Sequence, residues 1–232
     1  MRLKILLSGT NKILPVNHQH IVNSFIHRAL GKDNVYHDAK NDYSVSSLQG
    51  GKLIPETKTV SFNNGGFIII SSLNKSFLNN ILIGLYTTSF HEDIKVCGVE
   101  FIDEKFINGW NHFVTLSPFI IKKYINKKQY GFYTLNDVDI ETIIKDYLVR
   151  KLSKIDPSLN LSDFNIKIPK HDNHRVVKVL VKNVLNTANL CHISIHTNKK
   201  VAEILYNIGL GQSTGSGFGT IYKTENHSLY RN

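Results

Sequence analysis

The order of strand and helix patterns along the 232 residues predicts an α+β fold of two tandem ferredoxin-like (RRM-like) domains. Each half approximates the order strand, helix, strand, strand, helix, strand. The halves share no convincing residue-level repeat, so this prediction depends on element order. We assign the first domain to residues 1–107 and the second to residues 108–232. No linker rich in proline, glycine or serine separates them, which favours two domains packed against each other.

The elements of the first half follow from hydrophobic spacing and turn residues. RLKILLSG is rich in branched residues and predicts a strand. Apolar residues recur at helical spacing in NHQHIVNSFIHRALG, with Asn17 as the expected N-cap and Gly31 as the stop. Residues 32–52 are polar and irregular. GGFIIISSL predicts a strand, NKSFLNNILIGLYTT a helix beginning near Asn74, and IKVCGVEFI the last strand of this half.

The second half repeats the order. NHFVTLSPFII predicts a strand interrupted at Pro118, and IKKYINKKQYGFYTL predicts a basic hairpin. DVDIETIIKDYLVRKLSKI predicts a long helix. FNIKIP, RVVKVLVKNVL and LCHISIHT each predict a strand, and NKKVAEILYNI predicts the last helix. A glycine-rich loop and the strand GFGTIYK close the chain.

The composition favours a cytoplasmic protein with a polyanionic partner. Lysine and arginine number 28 against 18 aspartate and glutamate, a formal net charge of +10, and nucleic acid is the commonest partner of so basic a chain. No apolar run approaches the roughly 18 residues of a membrane span. The N-terminus lacks the long apolar core and cleavage site of a signal peptide. Cys97 and Cys191, far apart, indicate reduced thiols.

Five of the eleven residues from Gly209 to Gly219 are glycine, with small hydroxyl residues among them. A dinucleotide site needs its glycines after a strand and before a helix, and here the order is reversed. A P-loop needs a lysine, and none stands between Gly209 and Gly219. A flexible turn would explain one or two glycines but not this spaced set. Small residues allow a backbone to approach a phosphate chain closely, with its amides as donors.

Three stretches carry a resemblance to a known family. Residues 209–219 consist of Gly-Leu-Gly, five further residues and Gly-Phe-Gly. This pattern resembles the C-terminal signature of the CRISPR-associated repeat endoribonucleases, the Cas six family of the RAMP superfamily. LPVNHQHIVNSFIHRAL at 14–30 resembles the family's first-domain helix. VTLSPFII at 114–121 resembles the Ser-Pro strand that opens its second domain.

The resemblance implies metal-independent cleavage of CRISPR repeats in precursor RNA. It implies CRISPR repeat RNA as the partner, no cofactor, no metal and no membrane, and it leaves open a homodimer or an association with CRISPR effector subunits. In this reaction the RNA 2′-hydroxyl attacks the adjacent phosphate and leaves a 2′,3′-cyclic phosphate and a 5′-hydroxyl. A base, an acid and a cation are needed, and histidine can supply the first two near neutral pH.

The resemblance also implies catalytic residues. His37, in the loop after the first helix, matches the family's loop histidine. His27 stands on the helix where several members carry tyrosine, which is a departure that still provides an acid or a base. Lys52 occupies the place of a lysine with which some members stabilise the transition state, although the loop between His37 and Lys52 is longer here than in many members.

Two sets of residues are predicted to bind RNA. The first is the glycine-rich loop, with Gly209, Gly211, Ser213, Thr214, Gly215, Ser216, Gly217 and Gly219. The second is the basic hairpin, where Lys122, Lys123, Lys127 and Lys128 flank two tyrosines, an arrangement that suits phosphates and stacked bases but equally suits a solvated hairpin.

Other polar residues have plainer interpretations. Arg150, Lys151 and Lys154 are expected to stabilise the end of the long helix, whereas Lys199 and Lys200, at the start of the last helix, suit RNA phosphates better. His171 and His174 stand three apart but lack the cysteine or acidic partners of a zinc site.

Two alternatives to an endoribonuclease stay open. One is a non-catalytic RNA-binding RAMP subunit of a CRISPR effector complex, which would hold RNA without cutting it. The other is a ferredoxin-like domain that binds protein or a small ligand. The histidines at positions 27 and 37 favour the endoribonuclease, and RNA affinity that falls steeply with salt would argue against the last alternative.

Overall fold

The computed structural model describes residues 1–31, 36, 42–126, 129–181 and 184–224. Its first half contains seven strands and two helices in the described ranges. They are β1 (Arg2–Leu7), β2 (Thr10–Pro15), α1 (Gln19–Leu30), β3 (Tyr43–Val45), β4 (Lys52–Ile54), β5 (Thr59–Phe62), β6 (Gly66–Ser72), α2 (Lys75–Leu85) and β7 (Val96–Ile102).

The main sheet of this half is antiparallel and has the strand order β3–β6–β1–β7. Together with α1 and α2, this is the ferredoxin-like arrangement. Phe25 of α1 and Phe77 of α2 are fully buried in its core. The two helices pack closely, because a Cβ on Gly84 would lie 1.8 Å from the carbonyl oxygen of Ala29. The short strands β2, β5 and β4 form a separate sheet.

The second half has the same architecture. It comprises β8 (Gly109–Thr115), β9 (Lys122–Tyr124), β10 (Tyr130–Phe132), α3 (Ile140–Ile155), β11 (Asn165–Lys167), β12 (Arg175–Val181), β13 (Val184–Leu190), β14 (His192–Thr197), α4 (Lys199–Ile208) and β15 (Ile221–Lys223). The main sheet has the order β11–β14–β8–β15, again antiparallel, and it carries α3 and α4. The hairpins β9–β10 and β12–β13 extend from it.

The prediction of two ferredoxin-like domains is therefore confirmed. The boundary between residues 107 and 108 remains a proposal, consistent with sheets whose strands end at Ile102 and begin at Gly109. In the described ranges, none of the helices has both the length and the apolar character needed to cross a membrane.

Arg2 joins the two halves. It belongs to β1, yet its fully buried guanidinium donates hydrogen bonds to the carbonyl oxygens of Tyr206 and Ile221, and it lies 3.4 Å from the centre of the Tyr206 ring. Desolvation lowers the pKa of Arg2 to about 10. The buried contacts of Arg2 therefore join the first domain directly to the second.

Three local predictions were wrong. The segment RVVKVLVKNVL forms two strands, β12 and β13, paired as a hairpin. The irregular region after α1 contains β3 and β4. His18, not Asn17, occupies the N-cap of α1 and makes no side-chain capping bond. The Asn74 cap of α2 is confirmed, since its side chain accepts a hydrogen bond from the Phe77 amide at 3.1 Å.

Candidate functional site

The glycine-rich loop connects α4 to β15 and is closed at its base by backbone hydrogen bonds. The Leu210 amide donates to the Gly219 carbonyl at 2.7 Å, and the Gly219 amide donates to Pro118 at 2.9 Å. Residues Thr214–Ser216 form one 3₁₀ turn, flanked by Ser213 and Gly217 in left-handed conformations. The loop is therefore a defined structure anchored to the Ser-Pro segment after β8.

The tip of the loop packs against the first domain. The Thr214 hydroxyl donates to the Tyr43 carbonyl at 2.8 Å, and the Asn23 amide group donates to the Ser216 carbonyl at 3.3 Å. A Cβ on Gly215 would lie 2.7 Å from the Tyr43 ring. Close packing between the domains therefore explains some of these glycines. The sequence alone predicts a role in phosphate binding for them.

Within the loop, some backbone amides are engaged and others have no described partner. The Gly217 amide donates to the Thr214 carbonyl at 3.3 Å, so it is engaged within the loop. In the described part of the chain, the amides of Ser213, Thr214 and Gly215 donate to no other residue. These three successive N–H groups open the 3₁₀ turn, where Ser213 and Gly215 are partly exposed and Thr214 is buried. Successive amides of this kind can hold a phosphate oxygen.

His27 lies on the face of α1 that meets this loop. Gln19, Asn23 and His27 are spaced by four residues and form one row along the helix. Gln19 lies against Gly217, and Asn23 bonds Ser216. His27 is half-buried, one helical turn beyond Asn23. His27 therefore continues the row whose first two members meet the glycine-rich loop, while His37 lies outside the described residues.

Lys52 occupies a different place from His27. It is exposed at the start of β4, opposite Ser61 of β5. Phe62, the residue after Ser61, packs edge-on against His18 at the start of α1, with 5.8 Å between the ring centres. His27 lies about 13 Å further along the helix axis. The assignment of Lys52 as the partner of the histidines gains no support from this position.

His18 and His20 have structural roles near the same helix end. The Nδ1 atom of buried His18 lies 2.9 Å from the Pro15 carbonyl, and burial lowers its pKa. The Nδ1 atom of exposed His20 lies 3.0 Å from the Asn17 carbonyl. Both rings hold the turn that precedes α1.

A groove between the domains borders the loop on one side. Its volume is about 480 Å³, and its lining includes His18, Gln49, Gly217, Arg175 and Lys178. The two cations belong to β12. Sequence reasoning did not select them, because it treated the whole β12–β13 hairpin as a single strand.

The β9–β10 hairpin presents lysines and tyrosines together. Tyr124 and Tyr130 are directly opposite each other, and Tyr124 is 70% exposed. The Lys122 ammonium lies 4.3 Å from the centre of the Tyr130 ring, and that of Lys123 lies 5.4 Å from Tyr133. These contacts are cation–π interactions that leave the charges at the surface. Lys127 and Lys128 lie outside the described residues.

Two residues of α3 hold the start of the glycine-rich loop. The Lys151 ammonium donates to the carbonyls of Ile208, Gly209 and Gly211 at 3.3, 3.2 and 3.2 Å. The Tyr147 hydroxyl donates to Gly211 at 3.0 Å. Lys151 was expected to stabilise the end of its own helix, whereas it binds the C-terminal end of α4.

Lys200 does not match the RNA-phosphate role expected for it. Its ammonium lies 2.9 Å from the Asp156 carboxylate, which also bonds Ser158, and these bonds lower the pKa of Asp156 to about 2. The positive charge of Lys200 is therefore balanced within the protein.

A histidine cluster lies at the base of the β12–β13 hairpin. The rings of His171, His174 and His192 have centres 4.2 to 5.9 Å apart, and Nε2 of His174 accepts a hydrogen bond from the His192 amide at 2.9 Å. In the described ranges, no group of three or more His, Cys, Asp or Glu side chains is arranged to hold a metal ion. Cys191 is buried beside this cluster, and burial raises its pKa to about 12.

Comparison with known proteins decides the family. Residues 102–222, just over half of the chain, match the family described as CRISPR associated protein Cas6, C-terminal. The chain belongs to the Cas6 family. The resemblance on which the sequence prediction depended is confirmed, and the matched range includes the glycine-rich loop.

Relatives of similar length agree with this assignment. A Pyrococcus furiosus protein described as endoribonuclease-like Cas6 is 22% identical over 187 residues, 77% of this chain and 76% of the relative. A solved structure titled as an RAMP protein binding different RNA substrates has a TM-score of 0.83 at 20% identity, covering 97% of this chain and 100% of that chain. A Cas6-related protein of P. furiosus has a TM-score of 0.82 at 21% identity, covering 97% and 99%. These similarities establish the shared Cas6 fold.

Proposed function

We propose that this Cas6-family chain is a metal-independent endoribonuclease that cleaves within CRISPR repeats of precursor RNA to give guide RNAs. The observation that carries the proposal is the position of His27. It lies on the same row of α1 as Asn23, whose side chain bonds the glycine-rich loop at Ser216. This row supports the proposal that His27 acts on RNA held at the loop, whose unengaged amides suit a phosphate.

The chemistry divides into two proton transfers. A base removes the proton of the 2′-hydroxyl, and the 2′-oxygen forms a bond to the adjacent phosphorus. The bond from phosphorus to the 5′-oxygen breaks, and an acid gives that oxygen a proton. The products are a 2′,3′-cyclic phosphate and a 5′-hydroxyl. We assign the acid and base roles to His27 and His37, without specifying which residue has which role.

Negative charge on the phosphorane needs a stabilising group. Lys52 was the first candidate, and it is exposed at the start of β4, opposite Ser61. The amides of Ser213, Thr214 and Gly215 are the better-placed donors, since they lie on the loop that contacts the His27 row.

RNA binding has support of its own. The net charge of +10 favours a polyanion, and one structural relative is titled as binding different RNA substrates. We place the phosphate backbone across the glycine-rich loop, with the β9–β10 hairpin and the groove bordered by Arg175 and Lys178 as flanking surfaces. The proposal includes a cytoplasmic location. It leaves open whether the protein forms a homodimer or associates with CRISPR effector subunits.

A non-catalytic RAMP subunit is the second candidate function. It is favoured by a relative described only as endoribonuclease-like. Such a protein would bind repeat RNA with the same loop and leave it intact.

Single-turnover cleavage of labelled native repeat RNA separates the two functions. His37→Ala and His27→Ala should each slow cleavage by about 10²-fold or more, the usual contribution of a general acid or base. RNA affinity should barely change. His20→Ala is the matched control, because His20 is exposed and bonds only the preceding turn.

Wild-type rates in both variants would end the histidine mechanism. An equal loss of cleavage and binding would instead make these residues RNA contacts and would favour the non-catalytic function.

A further inference from the structure

The glycine-rich loop begins where a helix ends, which is electrostatically the wrong place for a phosphate. The last carbonyls of α4 point out of the helix, and the C-terminal end of a helix carries about half a negative charge. The residues between Gly209 and Gly219 include no lysine or arginine. Without a cation from elsewhere, this end of the loop would repel RNA.

Lys151 supplies such a cation. Its three ammonium protons match the three carbonyls of Ile208, Gly209 and Gly211, which it contacts at 3.2 to 3.3 Å. Two of these carbonyls belong to loop glycines. The side chain reaches them from α3, so the cation lies against the carbonyls of the loop.

The charge of Lys151 is not neutralised by an ion pair in the described part of the chain. The carboxylate that acts on it is that of Asp42, which forms neither a hydrogen bond nor a salt bridge with it. Lys200 provides the contrast, because Asp156 balances it at 2.9 Å. Carbonyls bind an ammonium without cancelling its unit charge, so a positive field remains at the loop.

We propose that Lys151 is the positioning cation of the glycine-rich loop, which reverses the negative potential of the α4 terminus and fixes the loop for binding RNA phosphates. This inference builds on the proposed function, because it requires that RNA binds at the loop. It assigns Lys151 no proton transfer and no direct contact with the cleaved phosphate.

The acid–base behaviour of Lys151 makes the role measurable. Burial lowers its pKa to about 8, whereas an unfolded lysine titrates near 10.4. The folded protein therefore carries this charge below about pH 8 and loses it as the pH rises above that value. RNA binding stabilises the charged form, so affinity should be constant below about pH 8 and should weaken above it.

The experiment measures binding of fluorescein-labelled oligoadenylate, a probe of phosphate contacts that needs no cleavage. Lys151→Met should weaken binding by about tenfold at low salt. It should also flatten the dependence of log affinity on log salt by about the amount that one phosphate contact contributes. Lys151→Arg should retain binding and should lack the loss of affinity above about pH 8, since arginine stays charged. Tyr147→Phe removes a bond to Gly211 without removing charge, and it should keep the wild-type pH dependence.

Lys154→Met is the matched control, an exposed lysine one turn further along α3. It should change affinity by less than about twofold. If Lys151→Met fails to fold, the pH dependence of Lys151→Arg against wild type decides the question. Wild-type affinity in Lys151→Met, or the same pH dependence in wild type and Lys151→Arg, would overturn the role of Lys151 and leave the proposed function standing. A wild-type protein without RNA affinity would overturn both.

Discussion

Gly211 and Gly217 both adopt left-handed backbone conformations, with φ of 70° and 91°, but their surroundings differ. A Cβ on Gly211 would lie 2.4 Å from the backbone carbonyl oxygen of Ile120, which cannot move aside. A Cβ on Gly217 would meet the end of the Gln19 side chain, which can rotate away. The two glycines are therefore not equivalent, although the sequence pattern presents them symmetrically.

We expect Gly211→Ala to cost more stability than Gly217→Ala. The left-handed conformation alone costs about 1–2 kcal/mol with a side chain. Gly211→Ala adds the collision with Ile120 and should exceed about 2 kcal/mol, while Gly217→Ala should remain near the lower figure. Urea unfolding measures both. Gly131→Ala is the control, since a Cβ there would meet nothing within 4 Å. Equal losses at Gly211 and Gly217 would contradict the packing described for the loop.

Tyr124 is a further residue whose environment suggests a function. It is 70% exposed and stands opposite Tyr130 in the basic hairpin. If a base stacks on its ring, Tyr124→Ala should weaken binding of single-stranded RNA by about 1–3 kcal/mol. Tyr86→Ala provides the control, because Tyr86 is 92% exposed on the first domain, away from this hairpin. Fluorescence anisotropy with repeat RNA would show the difference, and equal affinities in the two variants would remove Tyr124 from the interface.

At the scale of elements, the β9–β10 hairpin is the clearest separable RNA surface. Lys122 and Lys123 lie over tyrosine rings of the same hairpin, at 4.3 and 5.4 Å, so their charges are held without a carboxylate partner in the contacts described. Lys127 and Lys128 belong to the same sequence segment, outside the described residues. Phosphate contacts by such lysines carry no sequence information.

Replacing Lys122 and Lys123 with glutamine should weaken binding of repeat RNA and unrelated RNA alike. Each lost phosphate contact should flatten the dependence of log affinity on log salt by about 0.7 for a single strand. The double variant of Lys4 and Lys12 changes the net charge equally and serves as the control, because both lysines pair with glutamates. An effect confined to the cognate repeat would show that the hairpin recognises bases or RNA shape.

At the scale of the whole molecule, Arg2 connects the two domains through buried carbonyls of Tyr206 and Ile221. Arg2→Ala would leave these acceptors without a donor, at about 1–3 kcal/mol each. We expect a loss of several kcal/mol in the free energy of unfolding, measured in urea. Lys4→Ala, on the same strand and paired with Glu100, should cost less than about 1 kcal/mol. A loss no larger than that of Lys4→Ala would mean that Arg2 contributes little to domain packing.

The sequence predicted the architecture because the main strands and helices have distinct hydrophobic periods. It missed the pairing of β12 with β13, since apolar residues predominate from Val176 to Leu185 without glycine or proline. It missed β4 because that strand is short and exposed, with little apolar pattern. The strand β3 was missed as well, although all three of its residues are buried, because it is short and lies in a polar segment.

The sequence predicted only those parts of the candidate site whose residues lie close together along the chain. The glycine spacing and the α1 pattern identified the loop and the helix, which the structure joins through Asn23 and Ser216. The contacts of Lys151 join residues more than fifty positions apart, so helix position suggested a different role for it. Likewise, Lys52 was matched by order along the chain, and the structure places it at the start of β4, opposite Ser61. Tertiary contacts of this kind are not encoded in sequence spacing.

The most direct test of the proposed function is incubation of the wild-type protein with its native repeat RNA in excess EDTA, followed by mapping of the product ends. We expect cleavage at one position within the repeat, with a 2′,3′-cyclic phosphate on one product and a 5′-hydroxyl on the other. Tight binding of an intact repeat, with no product, would contradict the endoribonuclease assignment and establish an RNA-binding protein instead.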